Sequence, residues 1–428
     1  MNRNEGKHGM DRRIKEFVNA LKVKFRLDSY DLARYNLGRS VNIFNETLYT
    51  LSTEWVPQHI PIPEDGLNPD GTAVIELDVH SMKVKSVIFV GGKSYAKSVL
   101  FDHFDRNAII QWIEQETGLT YQQQFQLQEE GERELLFREC IDGIDVSPSG
   151  MIEVKFDAEG KLTMFTVHGQ FPSKEQIRKE TYNLSLDKMD PVAKAQLQLI
   201  EFPVAEQQQL IPIYGLEEIY VTNDQTKLIP FAFFVNSYCT VDQIMSWDSS
   251  IGKPFARKET HLVEEVTLEE ALSGEPSPEA FPITNIEKEK CITAVNQFLR
   301  QEYPHDTDKW ILKTLHRHQQ YIYATLRMNK QDHCIFQRKM MVIIETEHFY
   351  AVNYMDNLPM LEMFNQYKKM ETAAIAKDEA YDKIKDRLEL KPYYVYDATQ
   401  KQYILCGKLD CAYGVNASTG EVLTLDEL

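Results

Sequence analysis

The sequence predicts an α+β fold in which a helix followed by antiparallel strands is written twice. Residues 105–118 have the apolar spacing of an amphipathic helix, and residues 125–167 alternate apolar and polar side chains like four strands joined by short turns. About 187 residues later the same order returns, and Gln111–Glu116 aligns with Gln297–Glu302. We expect each helix to cover one face of its own sheet.

The third strand of each predicted sheet carries the second match between the copies. Met151–Phe156 aligns with Met340–Ile344, and a four-residue turn and another apolar strand follow both segments. In the first copy the turn is Asp157–Lys161, where Gly160 can adopt a positive φ without strain. Glu345–His348 has no glycine, so a different turn type is predicted there.

The remaining elements follow from local patterns. The opening residues predict helices over 11–25 and 31–51, and prolines at 57, 61 and 63 end the second of these. Alternation predicts strands over 73–79 and 84–90. Behind the first sheet we expect a helix at 186–202 with Pro191 in its first turn and strands at 211–221 and 228–236, and behind the second a helix at 373–390 and strands at 392–396 and 402–409.

The two halves are predicted to end alike, with Trp247–Lys253 matching Val415–Glu421. The shorter spacing of this match predicts extra residues in the first copy at 203–216. The Gly- and Pro-rich segment 273–278 is the best linker in the chain. The predicted domains are a helical region at 1–66, a first repeat domain at 67–272 and a second repeat domain at 279–428.

Composition limits the classes of function. The chain has 428 residues and a net charge of −18, which argues against a nucleic-acid or anionic-membrane surface, because phosphate binding requires clustered Lys and Arg. No apolar run is long enough to span a bilayer or to resemble a signal peptide, so we expect a soluble cytoplasmic protein. Its six cysteines are scattered without a CxxC pair, as buried reduced thiols are: Cys140, Cys239, Cys291, Cys334, Cys406 and Cys411.

Two patterns suggest ligand sites, and neither is specific. Gly91-Gly92-Lys93-Ser94 follows a strand as a phosphate loop does, but the earlier glycine of that motif is Val87 here, so a glycine-rich turn is the better interpretation. His316 and His318 lie on one face of a predicted strand, with His333 and Cys334 after the next strand. A metal site needs these side chains to converge, and exposed hairpin histidines are the favoured alternative.

The remaining ionisable residues do not predict a site. His80, His103 and His168 have no partner in the sequence, and no known catalytic motif is present. The acidic pairs Glu129-Glu130, Glu264-Glu265 and Glu269-Glu270 are typical of solvated faces. We therefore assign no catalytic, cofactor-binding or metal-ligating residue.

The repeated pattern resembles a known family. Arg138–Asp145, leading into Gly150–Phe156 and the turn 157–162, is similar to the YcdB/YcdC repeated domain of Bacillus-type bacteria. The closing segment Val415–Val422 resembles the end of a PepSY domain. The second copy departs from the pattern, with Met328–Gln331 in place of Ile-Asp-Gly-Ile and Asn416 in place of the usual acid.

The resemblance implies tandem PepSY-like modules, each a helix packed on a curved antiparallel sheet, without established catalytic residues. It also implies a role in binding or restraining a peptidase or another protein partner. We expect a non-enzymatic interaction module that binds through an exposed sheet edge or the face between the copies. The alternative is a hydrolase with a carboxylate or histidine site in an interdomain cleft, and a structural scaffold is a third interpretation.

Overall fold

The chain is described by a computed structural model that covers residues 10–61, 67–97, 99–101, 105–230, 238–260, 265–329, 336–364, 366–368 and 373–427. Seven helices are described: α1 Arg12–Lys24, α2 Arg106–Thr117, α3 Asp190–Gln196, α4 Leu268–Ser273, α5 Asn285–Glu302, α6 Leu358–Leu361 and α7 Lys377–Ile384. Strand residues outnumber helical ones, and the fold is mixed α+β, as predicted.

Neighbouring strands of the described sheets pair antiparallel. In chain order they are β1 Tyr30–Val41, β2 Thr47–Pro57, β3 Ala73–Asp78, β4 Val84–Phe89, β5 Phe125–Glu130, β6 Glu134–Ile141, β7 Ile144–Ser147, β8 Met151–Phe156, β9 Leu162–His168, β10 Leu197–Val204, β11 Gln209–Leu216, β12 Ile219–Thr222, β13 Leu228–Pro230, β14 Cys239–Met245, β15 Trp310–His318, β16 Tyr321–Met328, β17 Lys339–Glu345, β18 Ala351–Asp356, β19 Glu389–Asp397, β20 Gln402–Asp410, β21 Tyr413–Asn416 and β22 Val422–Thr424.

The chain divides into two compact units. The first comprises Met1–Asn42, Thr47–Glu175 and Glu265–Glu275, and the second comprises Ile43–Glu46, Gln176–Glu264 and Pro276–Leu428. The final change of unit falls between Glu275 and Pro276, inside the predicted linker. The predicted domains at 1–66, 67–272 and 279–428 stay a prediction, because compactness alone does not show which segments fold independently.

The first unit is an antiparallel sheet whose core also contains α1, α2 and the short α4. Its strands follow the order β1-β2-β3-β4-β9-β8-β6, and β5 and β7 each pair with β6. The apolar stripe of α1, which includes Ile14 and Leu21, and that of α2, which includes Ile109 and Ile113, share one core with the sheet. This burial is the main stabilising contribution in the unit, at about 1.5 to 3 kcal/mol per large side chain before conformational entropy.

The predicted second helix at 31–51 is wrong. These residues form the β1–β2 hairpin, paired from Tyr30 opposite Pro57 to Val41 opposite Thr47 with one register shift between Leu32 and Arg34. Alternate side chains of β2, including Leu51 and Trp55, are buried, which is the two-residue period of a strand. The many Thr, Tyr and Val residues in this segment also favour a strand over a helix.

The predicted helix at 105–118 is confirmed, together with both of its ends. The Asp105 side chain accepts hydrogen bonds from the N–H groups of Asn107 and Ala108, so it is the N-cap. Gly118 closes the helix with φ 71°, a conformation that glycine adopts without strain. The Lys83 ammonium donates to the Thr117 carbonyl over 2.6 Å, which satisfies a terminal acceptor and places a cation at the negative end of the helix.

Gly160 provides a stability prediction with a matched control. It has φ 79°, and a Cβ there would overlap the carbonyl oxygen of Phe101. Gly143 has nearly the same φ, 80°, with open space around it. Gly160→Ala should therefore lower the free energy of unfolding by about 1 to 3 kcal/mol more than Gly143→Ala does in urea denaturation. Equal losses in the two variants would mean that only backbone strain matters at Gly160.

The second unit contains a five-stranded sheet whose inner face is covered by α5. Its order is β14-β15-β16-β17-β18, and the capping box of Thr284 and Glu287 starts the helix. Phe298 and Leu299 pack with Leu312 and Val342 in the core between helix and sheet. The element order helix then four antiparallel strands thus occurs in both units, as α2-β5-β6-β8-β9 and as α5-β15-β16-β17-β18. In each unit a fifth strand pairs with this group of four strands, but at opposite edges. In the first unit β4 pairs with β9, the last strand of its group, whereas in the second unit β14 pairs with β15, the first strand of its group.

The rest of the second unit consists of two sheets that exchange strands. The hairpin β10–β11 is extended by β21 and β22, whereas the hairpin β19–β20 is extended by β12 and β13. Each sheet therefore combines segments that lie nearly 200 residues apart in the sequence. α3 and α7 share one core with both sheets, and the Tyr381 hydroxyl donates to the Asp190 carboxylate over 2.7 Å. Neither sheet can therefore form completely until residues 197–230 and residues 389–424 have come together.

The strand order shows that the predicted match between the ends of the two halves joined the wrong segments. The topological counterpart of 415–421 is 221–227, because both segments connect the last two strands of their series, β12–β13 and β21–β22. Trp247–Lys253 instead follows β14 in the other sheet, so its predicted match was wrong. No extra residues occur at 203–216, since four residues join β10 to β11 and four join β19 to β20.

Both helices predicted behind the sheets are shorter than expected. Of the segment 186–202 only α3 is α-helical, with Pro191 in its first turn as predicted, and β10 begins at Leu197. Of 373–390 only α7 is α-helical, and β19 begins at Glu389. The strands predicted at 392–396 and 402–409 are confirmed within β19 and β20. The strand predicted at 211–221 is split into β11 and β12, and that at 228–236 is described only as β13, since residues 231–237 lie outside the described chain.

Candidate functional site

A small polar cleft of about 50 Å³ lies in the second unit, where three chain segments meet. Its walls include Arg178, Asp224, Lys227, Asp397 and Gln400. The Lys227 ammonium donates to the Asp397 carboxylate over 2.9 Å, and the Arg178 guanidinium donates to the Gln400 side-chain oxygen over 3.2 Å. Asp224 accepts the hydroxyl groups of Thr222 and Thr226, so each of these charged groups already has a hydrogen-bond partner within the protein.

Asp397 is the most buried acid of this cleft, and its bonds identify a structural role. Its carboxylate also accepts the N–H groups of Thr399 and Gln400, so it fixes the turn between β19 and β20. Burial alone would raise the pKa of Asp397, but the Lys227 ammonium and these two N–H groups together lower it. A permanently ionised, fully bonded carboxylate is a poor general acid or base.

The histidines predicted as metal candidates do not form a described metal site. The His316 ring stacks on Tyr323 at 5.3 Å, and burial, with smaller contributions from His318 and Lys339, lowers the pKa of His316 to about 4. The largely exposed His318 ring lies 3.7 Å from the Glu279 carboxylate. His333 and Cys334 lie outside the described residues. Within the described ranges, no three His, Cys, Asp or Glu side chains are placed to hold a metal ion.

The other sequence candidates have structural contacts. Gly91 and Gly92 form a turn with positive φ, no helix begins at Lys93, and the Lys93 ammonium pairs with Asp70 over 2.5 Å. Glu270 closes the capping box of α4, and Glu269 pairs with Arg13 over 3.0 Å. These contacts explain the residues without a ligand.

The remaining candidates are equally ordinary. Glu129 and Glu130 are exposed on β5, and Glu264 lies outside the described residues. His80 packs edge-on against Tyr49, His168 is exposed, and His103 lies outside the described residues. Burial raises the pKa of the Cys140 thiol to about 11 and that of Cys291 and Cys406 to about 12, so none of these thiols is a nucleophile near neutral pH.

Glu139 is a buried carboxyl group that the sequence did not identify. It has no exposed surface, and its two oxygens accept the N–H groups of Gly150 over 2.7 Å and of Phe171 over 2.9 Å. Burial raises the pKa of Glu139 to about 7, although these N–H groups and that of Gln170 oppose the rise. The group joins two loops at one end of the first sheet, and only the fold brings these loops together.

An exposed apolar surface is the strongest candidate for a functional site. Five of its side chains are between 36% and 71% exposed, a large fraction for apolar residues, and with Phe364 they form what we call the methionine ridge: Phe336, Met355, Leu358, Met360, Met363 and Phe364. The Phe336 and Phe364 rings stack at 5.2 Å with an interplanar angle of 6°. Exposed apolar side chains concentrated in one part of a fold are typical of protein-binding surfaces.

Hydrogen bonds at its base hold the ridge in place. The Asn357 side chain accepts the Lys339 N–H over 2.8 Å and donates to the Gln337 carbonyl over 3.0 Å. Asp356 accepts the Leu358 N–H over 2.9 Å and pairs with Arg338 over 2.8 Å. These bonds join the end of β18 and the start of α6 to the residues around the start of β17. The apolar side chains are thus presented from an anchored backbone.

Two exposed cations, Arg327 and Lys339, lie near the base of the ridge, and one exposed acid, Glu362, lies between Met360 and Met363 in the sequence. Arg327 on β16 lies opposite Lys339 on β17, and like charges in this position repel each other. The Arg327 guanidinium donates to the neutral Gln337 side chain over 3.0 Å. Among the residues that the structure covers, neither Arg327 nor Lys339 forms an ion pair.

Comparison with known protein families, curated proteins and solved structures finds no match to this chain. The resemblance to YcdB/YcdC and PepSY domains therefore stays a prediction. No helix within the described residues is both long and apolar enough to cross a membrane.

Proposed function

We propose that this chain is a non-enzymatic protein-binding module, related to tandem PepSY-like repeats, that binds an apolar segment of a protein partner through the methionine ridge. The observation that carries the proposal is the exposure of Met360 and Met363, at 71% and 57%, beside the stacked Phe336 and Phe364 rings. A partner that covers these groups would gain about 25 cal/mol of binding free energy for each Å² of apolar surface that it removes from water.

The chemistry of methionine also supports a binding role. Its unbranched side chain and polarisable sulfur adapt to partner surfaces of different shape, so methionine is frequent where one surface accepts a range of segments. Hydrogen bonds hold the backbone at the base of the ridge and its methionine side chains are adaptable, which reduces the backbone entropy lost on binding. The polar cleft offers no such unsatisfied group, because its charges are bonded internally.

Aspartate substitutions on the ridge should abolish partner binding. Met360→Asp with Met363→Asp places two charges on the surface that the partner must cover, and burying even one unpaired charge costs several kcal/mol. The matched control is Met82→Asp with Met151→Asp, which changes exposed methionines in the first unit. Affinity purification from the native extract, quantified by mass spectrometry, should recover a near-stoichiometric partner with the wild type and the control only. Equal recovery with the ridge variant would contradict the proposal.

A further inference from the structure

We propose that the partner segment bound by the methionine ridge is acidic as well as apolar, a stretch in which carboxylates alternate with large apolar side chains. This inference rests on the proposed function and specifies the chemistry of the ligand. It starts from the position of Arg327 and Lys339, the two cations next to the ridge. The chain carries 65 acidic and 47 basic side chains, so a pair of cations that forms no ion pair with any described residue is a local exception.

The register places the two cations on one face of the sheet. Arg327 and Lys339 are cross-strand partners between β16 and β17, and partners in this register point to the same side. The neighbouring cross-strand pair on that side is Thr325 and Met341. Met341 is in turn opposite Met355 on β18, which belongs to the ridge. The two cations and the ridge residue Met355 thus lie on the same face of the sheet.

Hydrogen bonds couple the cations to the ridge. The Lys339 N–H donates to Asn357, which directly precedes the ridge residue Leu358. Gln337 accepts from Arg327 and follows the ridge residue Phe336. A bound carboxylate would relieve the repulsion between the two cations and form charge-assisted hydrogen bonds with them. Because the same ligand must also cover Met360 and Phe336, apolar side chains have to flank its carboxylates.

The surrounding charge favours a protein segment over other anions. A nucleic acid offers phosphates but requires many cations, and this chain has a net charge of −18. A second copy of the chain would also bring acidic segments, and the oligomeric state of the protein alone distinguishes that occupant.

The test uses the full-length protein and three synthetic peptides with identical apolar residues. One peptide has Glu between the apolar positions, and the others have Gln or Lys there. Fluorescence anisotropy should show that the Glu peptide binds wild-type protein about tenfold more tightly than the Gln peptide, with a still larger deficit for the Lys peptide. Added salt should weaken only the Glu peptide.

Protein variants separate charge from apolar contact. Arg327→Glu with Lys339→Glu should remove the preference for the Glu peptide and favour the Lys peptide, whereas Lys15→Glu with Lys179→Glu, the same change of net charge on exposed residues elsewhere, should not. Both positions of the first variant are on the sheet surface, and circular dichroism checks its fold. Arg327→Gln with Lys339→Gln provides a milder second variant.

Each other outcome has a defined meaning. If the three peptides bind equally and Met360→Asp abolishes binding, the ridge binds proteins but the acidic preference is overturned. If no peptide binds, both the inference and the proposed ridge function are contradicted. If the protein alone sediments as a dimer that Met360→Asp dissociates, the occupant is a second copy, and the inference of an acidic partner segment is overturned.

Discussion

Replacing Glu139 by glutamine should remove about 2 kcal/mol of pH dependence from the unfolding free energy between about pH 5.5 and pH 8. Burial raises the pKa of Glu139 from 4.5 to about 7 in the folded state. A raised pKa means that the folded state binds the proton more tightly, so the stability from this group is complete below about pH 4.5 and is lost as the pH rises through about 7. A glutamine side chain cannot titrate, so the variant should lose less stability with rising pH than the wild type.

A second substitution separates the proton from the hydrogen bonds. Glu139→Leu leaves the N–H groups of Gly150 and Phe171 without their acceptor, at about 1 to 3 kcal/mol each. Urea denaturation should therefore show a loss for the leucine variant at every pH. An identical pH dependence in the wild type and in Glu139→Gln would contradict the shifted titration of Glu139.

Removal of residues 413–428 should selectively destabilise a hairpin that lies about 200 residues earlier. The truncation deletes β21 and β22, so β11 loses its partners opposite Ile213 and Tyr214, and the core loses the buried Val415. The lost burial and backbone hydrogen bonds correspond to about 3 kcal/mol or more.

Hydrogen–deuterium exchange provides the measurement. Amides of β10 and β11 should exchange much faster in the truncated protein, with a smaller change in the β19–β20 hairpin, whose outer partner is β12. Removal of 426–428 alone leaves β22 in place and should change little. Faster exchange confined to β19 and β20 would contradict the strand exchange.

Local patterns predicted the elements whose signals lie within one segment. The N-cap Asp105, the closing Gly118 and the apolar spacing between them define α2 without any distant contact. The β1–β2 hairpin was missed because its first strand buries only two of its twelve residues, so the apolar period that reveals a strand is weak at 31–41.

The features that the sequence did not predict depend on pairing between strands that are distant in the sequence. Val221 and Val415 occupy equivalent positions in different sheets, and only the pairing of β12 with β20 and of β21 with β11 reveals this. The same applies to the candidate sites. Glu139 resembles any strand glutamate in the sequence, and its burial depends on two loops that meet after folding. The ridge residues read as an ordinary apolar segment, because exposure is a property of the finished fold.

Oxidative footprinting of the methionines tests whether a partner binds the ridge. In the purified protein, Met360 and Met363 should be oxidised much faster than the buried Met340, since susceptibility follows exposure. In the native extract the two ridge methionines should become protected, while the exposed Met82 and Met151 remain reactive as internal controls. Equal oxidation of the ridge in the extract and in the purified protein would contradict binding at this surface.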